Sequence, residues 1–262
     1  MAETYQVTDE TFVISDSLPV PGVGVLPINA MVIRGEQPMI LDTMATVQRD
    51  EFLDKVFSIV EPADVRWLFL SHEDRDHSGS LMQVLERCPN ATLITNFLGL
   101  GKLGEEFAIP LDRVRLMNDG DTLDIGDRTV AALRPPLYDS SATRGLWDPK
   151  TKTYFAADCF GSVMATNVQF SDEVAPTDYE EGFFWMNRVN HIWHQHVAQD
   201  KIDAAAHRIR TLGADRIVSG HGPVDRTHPD TLCDWISRIG DMEPVELPSQ
   251  ADFEAMLAGG PE

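Results

Sequence analysis

Between Ser71 and Ser80 the chain reads Ser-His-Glu-Asp-Arg-Asp-His-Ser-Gly-Ser, which sets two imidazoles, His72 and His77, around the carboxylates of Asp74 and Asp76. The apolar run Trp67-Leu-Phe-Leu70 precedes it, and apolar positions at helical spacing follow from Ser80 to Arg87. Strand, tight loop and helix start is the expected order. Such a loop lies at the carboxyl end of a strand, where open α/β sheets place their chemistry. On an extended segment His72, Asp74 and Asp76 would face one cavity, with His77 entering from the next turn. Carboxylates and imidazoles gathered this closely repel one another unless a cation neutralises the carboxylates. A metal site is therefore the leading expectation, and a solvated acidic turn capping a helix is the alternative.

Four further residues stand where a rigid scaffold would hold ligands. Asp42 closes the apolar run Met39-Ile-Leu41, and Asp139 follows Arg134-Pro-Pro-Leu-Tyr138, whose prolines restrict the backbone. Asp158 ends Tyr154-Phe-Ala-Ala157, 19 residues beyond Asp139, and His221 stands between two glycines after Arg216–Ser219. The elements that must carry them follow from pattern. Residues 4–15 alternate loosely and predict a strand pair near a sheet edge. Runs at 30–34 and 38–42 flank Gly35-Glu36-Gln37, a hairpin signal. Phe52, Leu53, Val56, Ile59 and Val60 recur at helical spacing before Pro62. Short strands are expected at 91–95, 114–117 and 129–133, with a helical piece at 97–107 and a turn at Asn118-Asp-Gly-Asp121. Residues 142–147 and 153–157 make a second hairpin. Helical segments fill 179–212, then a strand at 216–219, a helix at 229–239 and a loose tail or short helix at 243–262. This order suits two mixed sheets packed together with helices outside, as one domain over residues 1–262.

Composition narrows the partners. At 43% hydrophobic and 24% charged, the 262 residues have the balance of an ordinary globular protein. A formal net charge of −21 argues against nucleic acid, a polyanion that this chain would repel. Cys88, Cys159 and Cys233 are odd in number and widely spaced, so no disulfide framework is implied. Reduced thiols in the cytoplasm are the simpler expectation. The start Met-Ala-Glu-Thr-Tyr has neither the basic nor the apolar region of a signal peptide. No run approaches the ~20 apolar residues of a bilayer span, so no membrane partner is expected.

With these residues in place, the sequence resembles the metallo-β-lactamase fold superfamily, whose pattern runs H-x-[H/E]-x-D-H and then H, D and H after further strands. It is most similar to the metallo-β-lactamase-like domain of flavodiiron proteins, which reduce dioxygen or nitric oxide at a non-haem di-iron site. The resemblance is carried by His72–Ser80, the step from Asp139 to Asp158, Gly220-His221-Gly222-Pro223, Asn29 and Leu41-Asp42-Thr43. It implies an α/β fold, the αββα four-layer sandwich. It also implies one metal held by His72, Asp74 and Asp139, a second held by Asp76 and His221, and Asp158 bridging both. His77 ligates the second metal in many zinc hydrolases of this fold and stays off it in typical flavodiiron proteins. His77 and Asp158 are the candidate catalytic residues. Two positions depart from the flavodiiron pattern, which has Glu where Asp74 stands and His where Asp139 stands. A related di-iron oxygenase branch of the fold also uses a carboxylate at the second of these.

Asp74, Asp76, Asp139 and Asp158 set four carboxylates against two or three imidazoles. Zinc is satisfied by nitrogen and sulfur donors, whereas carboxylate-rich sites lean towards iron or manganese. Two iron ions are the expected cofactors, with manganese or zinc as alternatives. Flavodiiron proteins also carry an FMN-binding domain; no Gly/Ser/Thr-rich phosphate loop occurs here, so no FMN and an external electron donor are expected. The leading reading is an oxidoreductase, a di-iron protein that binds, reduces or activates O2 or NO, or oxidises a small-molecule substrate. A dinuclear hydrolase of an ester, lactone or phosphodiester and a non-catalytic oxygen or redox sensor are the alternatives, and a homodimer is compatible with each. His191, His194 and His196 follow Phe183-Phe-Trp185 on a predicted helix. They read first as a polar, partly exposed face with an aromatic anchor, and second as donors that reach the metal pocket. Cys159 reads as a core thiol, His207 and His228 as surface residues, and Arg75 as either a partner of a ligand carboxylate or a solvated side chain.

Overall fold

The computed structural model describes residues 2–259. One sheet is formed by β1 (Glu3–Gln6), β2 (Thr11–Val20), β3 (Gly24–Ile33), β4 (Met39–Leu41), β5 (Trp67–Phe69), β6 (Thr92–Thr95) and β7 (Val114–Leu116), in that spatial order. Its first four strands are antiparallel and β4 to β7 are parallel. The second sheet runs β12 (Arg216–Val218), β11 (Thr153–Phe155), β10 (Gly145–Asp148), β9 (Thr129–Leu133), β8 (Thr122–Asp124). Only its β11–β12 pair is parallel. The helices are α1 (Arg49–Ile59), α2 (Arg75–Ser78), α3 (Leu81–Arg87), α4 (Phe97–Leu103), α5 (Pro176–Asn190), α6 (Gln199–Arg210), α7 (Pro229–Ile239) and α8 (Gln250–Gly259).

Alternation along the strands sorts side chains into layers, because successive residues point to opposite faces. Met31, Ile33, Met39, Leu41, Phe69 and Ile94 of the first sheet meet Val130, Ala132, Leu146, Phe155 and Val218 of the second in a shared core. Their neighbours Ala30, Val32, Ile40, Leu68 and Leu93 pack outward with residues of α1 and α3. On the far side Leu133, Tyr154 and Ile217 pack with residues of α5, α6 and α7. Strands covered on both faces read as continuous apolar runs, which is why 39–41 and 154–157 carry no polar-out signal. The result is the expected αββα sandwich of two mixed sheets. Each fully buried aliphatic or aromatic side chain contributes about 1.5–3 kcal/mol, so three apolar cores hold the scaffold on which the loops ride.

Three expectations are corrected. β2 and β3 form a ten-residue hairpin with Val20 opposite Gly24, extending well beyond residues 15 and 30. The stretch between them holds Pro19, Pro21, Gly22, Gly24 and Pro27, yet the ladder of the paired strands continues up to its turn. The helical block 179–212 is broken: His191 leaves helical geometry (φ −122, ψ 53), and a 3-10 turn at Ile192–His196 separates α5 from α6. Finally, Asp76 lies not on an extended segment but within the single turn α2. Among the described residues no helix is long and apolar enough to cross a membrane.

Candidate metal centre

The parallel strands of both sheets deliver their carboxyl ends to one region. Asp42 directly follows β4, His72 follows β5 by three residues, Asp158 follows β11 by three, and His221 follows β12 by three. The loops are tightly bent, with non-glycine residues in the left-handed region at Asp42 (φ 59), Met44 (φ 54), Ala157 (φ 53) and Phe160 (φ 64). Such conformations cost of order 1–3 kcal/mol each and persist where surrounding contacts over-determine them. Gly220 is required by close approach, since a Cβ there would lie 2.7 Å from His77 Cε1.

The hydrogen bonds behind the imidazoles fix which nitrogen faces the cavity. Ser71 donates from its amide to Asp42 Oδ1 and from Oγ to Asp42 Oδ2, both at 2.7 Å. With its one proton committed, Ser71 Oγ can only accept from His72 Nδ1, 3.0 Å away. His77 Nδ1 donates to Asp42 Oδ2 at 2.8 Å, and His221 Nδ1 donates to the carbonyl of Pro27 at 2.8 Å. All three rings therefore turn Nε2 towards the cavity, the arrangement by which carboxylates and carbonyls orient metal-binding histidines. Asn29 donates from Nδ2 to the carbonyls of Ser219 (2.9 Å) and Gly222 (2.7 Å), pinning the His221 loop.

Carboxylate oxygens meet those nitrogens. Asp158 Oδ1 lies 2.9 Å from His77 Nε2, 3.3 Å from His221 Nε2 and 3.7 Å from His72 Nε2. Asp74 Oδ2 and Asp139 Oδ2 stand 3.8 and 3.9 Å from His72 Nε2. Asp76 Oδ2 is 3.4 Å from His221 Nε2 and 3.7 Å from His77 Nε2. The donors thus fall into three overlapping clusters: His72, Asp74, Asp139; Asp76, His77, His221; and His72, His77, Asp158 between them. All seven sequence-predicted site residues come together.

Burial and charge act on the groups in opposite senses. Burial alone would raise the pKa of Asp158, but His72, His77 and His221 hold it well below the usual carboxylate range. Burial alone would lower His77, yet Asp158, Asp76 and Asp42 hold it well above the ordinary imidazole value; His221 is raised in the same way by Asp158 and Asp76. Asp76 is lowered by His77 and His221 against its burial. Asp74 is raised by burial, with Asp139 and Asp158 adding to it against His72. Protons on the imidazoles here do what a cation would do, compensating converging carboxylates. Meanwhile His72 Nε2 is buried without a hydrogen-bond partner, and His77 Nε2 and Asp158 Oδ1 have only their mutual ion pair at 2.9 Å. Orphaned buried polar atoms are rare, and this set, aimed at one point, fits a metal pair.

Asp139 caps the turn that follows it and also faces the cavity. Its Oδ1 accepts from the Ser140 amide (2.7 Å) and Thr143 Oγ1 (3.3 Å), leaving Oδ2 towards His72. A polar clamp holds this loop: Ser140 Oγ donates to Glu73 at 2.8 Å, and Lys102 of α4 pairs with Glu73 and reaches Ser140 Oγ at 3.1 Å. Asn96 adds a bond to the carbonyl of Ala142 at 2.6 Å. Asp74, at the N-terminus of α2, makes no capping hydrogen bond.

Sequence reasoning missed this clamp, the Asp42–Ser71 relay, and Asn190, whose Nδ2 donates to Asp158 Oδ2 at 2.9 Å. Ser71 beside His72 was the one local signal; the others depend on contacts across 29 residues or more. The reading of His191 and His194 as partly exposed is overturned, since both are fully buried, while His196 is exposed. Arg75 pairs with Glu106 (3.5 Å) and Thr46 (3.1 Å), not with a ligand carboxylate. Cys159 is a core thiol whose pKa burial pushes up, and His207 and His228 are exposed.

Two mixed sheets with helices outside, and histidines and aspartates gathered at the strand ends, define a metallo-β-lactamase-type domain. The profile of the ODP family beta lactamase matches residues 27–222, and the chain belongs to that family. A rubredoxin-oxygen oxidoreductase from Megalodesulfovibrio gigas is 26% identical over 164 residues, 62% of this chain and 41% of that protein. A type A flavoprotein of Rhodobacter capsulatus is 25% identical over 205 residues, covering 77% of this chain and 46% of its own length. Among solved structures, a flavodiiron protein from Giardia intestinalis superposes with a TM-score of 0.80 at 19% identity, covering 92% of this chain and 60% of that one. The chain thus spans less than half the length of the curated relatives it matches.

Proposed function

We propose that this chain, working as one domain over residues 1–262, is a non-haem di-iron protein that binds, reduces or activates O2 or NO with electrons from an external donor. The observation that carries the reading is the convergence of three Nε2 lone pairs, each fixed from behind, on four carboxylates. In this reading His72, Asp74 and Asp139 would hold one metal and Asp76 and His221 the other, with Asp158 serving both. His77, grouped with Asp76 and His221, would add a nitrogen donor to the second metal. Four anionic oxygen donors neutralise two divalent ions and favour iron over zinc; bound there, the metals supply sites for a small diatomic and one electron each. The names of the relatives, an oxygen oxidoreductase and a flavodiiron protein, point the same way.

The site's own residues contribute orientation and charge. Asp42 keeps two imidazoles in the Nδ1–H tautomer, and the buried Asp158 keeps its charge at neutral pH because three imidazoles surround it. Metal analysis of protein expressed with ample iron should find about two metals per chain, predominantly iron. Chemically reduced protein mixed with O2 in a stopped-flow instrument should develop near-ultraviolet absorption, and steady turnover should need an added electron donor. Stoichiometric zinc after iron supplementation, no spectral change with O2, and strong ester or phosphodiester cleavage would establish the hydrolase instead.

A further inference from the structure

The turn that ends α5 brings to the metal loops a buried imidazole that the ligand set does not use. His191 is fully buried. Its Nδ1 lies 2.9 Å from the carbonyl of Asn187, and a carbonyl only accepts, so Nδ1 carries a proton. Burial holds the ring's pKa below the ordinary histidine value, which leaves it neutral with a bare lone pair on Nε2. That nitrogen has no hydrogen-bond partner. An unsatisfied buried acceptor costs about 1–3 kcal/mol, so the position calls for a donor.

Contacts on both sides fix where the ring stands. Asn190, the preceding residue, donates to Asp158 Oδ2 at 2.9 Å. Trp193 Nε1 donates to the carbonyl of Tyr138 at 2.9 Å, next to Asp139, and its ring packs edge-on to His191 with centroids 6.3 Å apart. His191 is thereby held between the Asp158 loop and the Asp139 loop. The charged and titratable groups that act on it are Asp158 and Asp139, which favour taking up a proton, and His194, which opposes it. It belongs to none of the three donor clusters, so it is outside the ligand set while lying between the two loops that carry Asp158 and Asp139.

We propose that His191 is the proton-accepting residue of this pocket: its Nε2 accepts a hydrogen bond from a water held at the metal pair and takes that water's proton. One O–H bond breaks, its electron pair stays on oxygen, and an N–H bond forms at Nε2; nothing is oxidised or reduced. The inference rests on the two-metal reading above. It also gives the carboxylate at position 139 a counterpart. An anionic ligand set makes a bound water a weaker acid, and a neighbouring imidazole acceptor offsets that.

The test is a pH titration of the visible absorption of Co(II)-loaded protein, for the wild type, His191→Gln and His191→Leu, with metal content measured alongside. All three should bind two Co(II) per chain. The ionisation midpoint should rise by about one pH unit in His191→Leu, a tenfold weaker acid, and by less in His191→Gln, whose amide oxygen still accepts. An unchanged midpoint in His191→Leu with both metals bound overturns the proposal. So does loss of a metal from both variants, which would make His191 a ligand. If His191→Leu does not fold, His191→Gln alone decides, a raised midpoint supporting the proposal and an unchanged one overturning it. Wild-type protein that binds no metal would instead remove the two-metal reading itself, and the proposal with it.

Discussion

Asp158 and Asp139 look alike in sequence, each an aspartate in a loop after an apolar run, yet their surroundings assign them different weights. Asp158 Oδ1 stands within 3.7 Å of three imidazole nitrogens, whereas Asp139 Oδ2 approaches only His72. Replacing Asp158 with alanine should therefore release both metals, because it withdraws the carboxylate that lies between the two outer clusters and meets imidazoles of both. Asp139→Ala should leave about one metal per chain. Elemental analysis of the two variants decides this, and full occupancy in Asp158→Ala would end the bridging assignment. Asp42 belongs to none of the donor clusters, but it accepts both Ser71 hydrogen bonds and one from His77 Nδ1. Removing a partner that orients ligands commonly costs 10–100-fold in metal affinity, so Asp42→Ala should weaken Fe(II) binding by roughly that factor in an anaerobic titration. His72, Asp74, Asp76 and His77 were legible because two imidazoles and two carboxylates crowd into one short loop, whereas Asp139, Asp158 and His221 were legible from their places at element ends and from the family resemblance. Asp42's function was not, because it is defined by a proton path through Ser71 that sequence does not display.

Among the elements, the metal loops are positioned by contacts that leave no local pattern. The continuous apolar runs at 39–41, 67–70 and 153–157 announced buried strands, and the order of elements announced the sandwich. The ten-residue β2–β3 hairpin and the break at His191 were illegible because pairing and tertiary packing, not composition, decide them. The clamp of Glu73, Lys102 and Ser140 joins α2's loop, α4 and the Asp139 loop across 29 to 67 residues. Lys102 is about half exposed, so its ion pair is worth little as stability; its consequence is geometric. Lys102→Met together with Ser140→Ala should lower occupancy of the first metal selectively while shifting the melting temperature by no more than a few degrees. Equal loss of both metals would assign the clamp to the whole site. Gly220→Ala is the sharper probe of element packing, since its Cβ meets both the His77 ring at 2.7 Å and the carbonyl of Ala157 at 3.3 Å. It should displace the β12 loop and lower metal content below that of Asp139→Ala, with the fold retained by circular dichroism.

At the scale of the whole molecule, the chain carries a formal charge of −21 and gathers further like charges at one buried site, so its stability without metal must follow the protons there. The raised pKa values of His77 and His221 mean that the folded state binds protons the unfolded chain would release. Their contribution is complete below the unfolded imidazole value, about 6.5, and is lost as pH rises through the folded values. Asp74, raised by burial, acts in the same direction. Asp158 and Asp76, both lowered, contribute fully above the unfolded carboxylate value, about 3.9, and lose that contribution as pH falls through the folded values. His191, lowered by burial, runs the other way and blunts stability on the acid side of its unfolded value. Metal-free protein should consequently be most stable between roughly pH 4 and 6.5 and should melt at progressively lower temperature from pH 6.5 to 9. Divalent metal replaces the protons and binds the native state alone, so loaded protein should show a higher and flatter profile over the alkaline range. Melting curves of chelator-treated and metal-loaded samples across that range make the comparison. A melting temperature that climbs with pH in the metal-free sample would mean that the imidazoles are not the groups compensating Asp158.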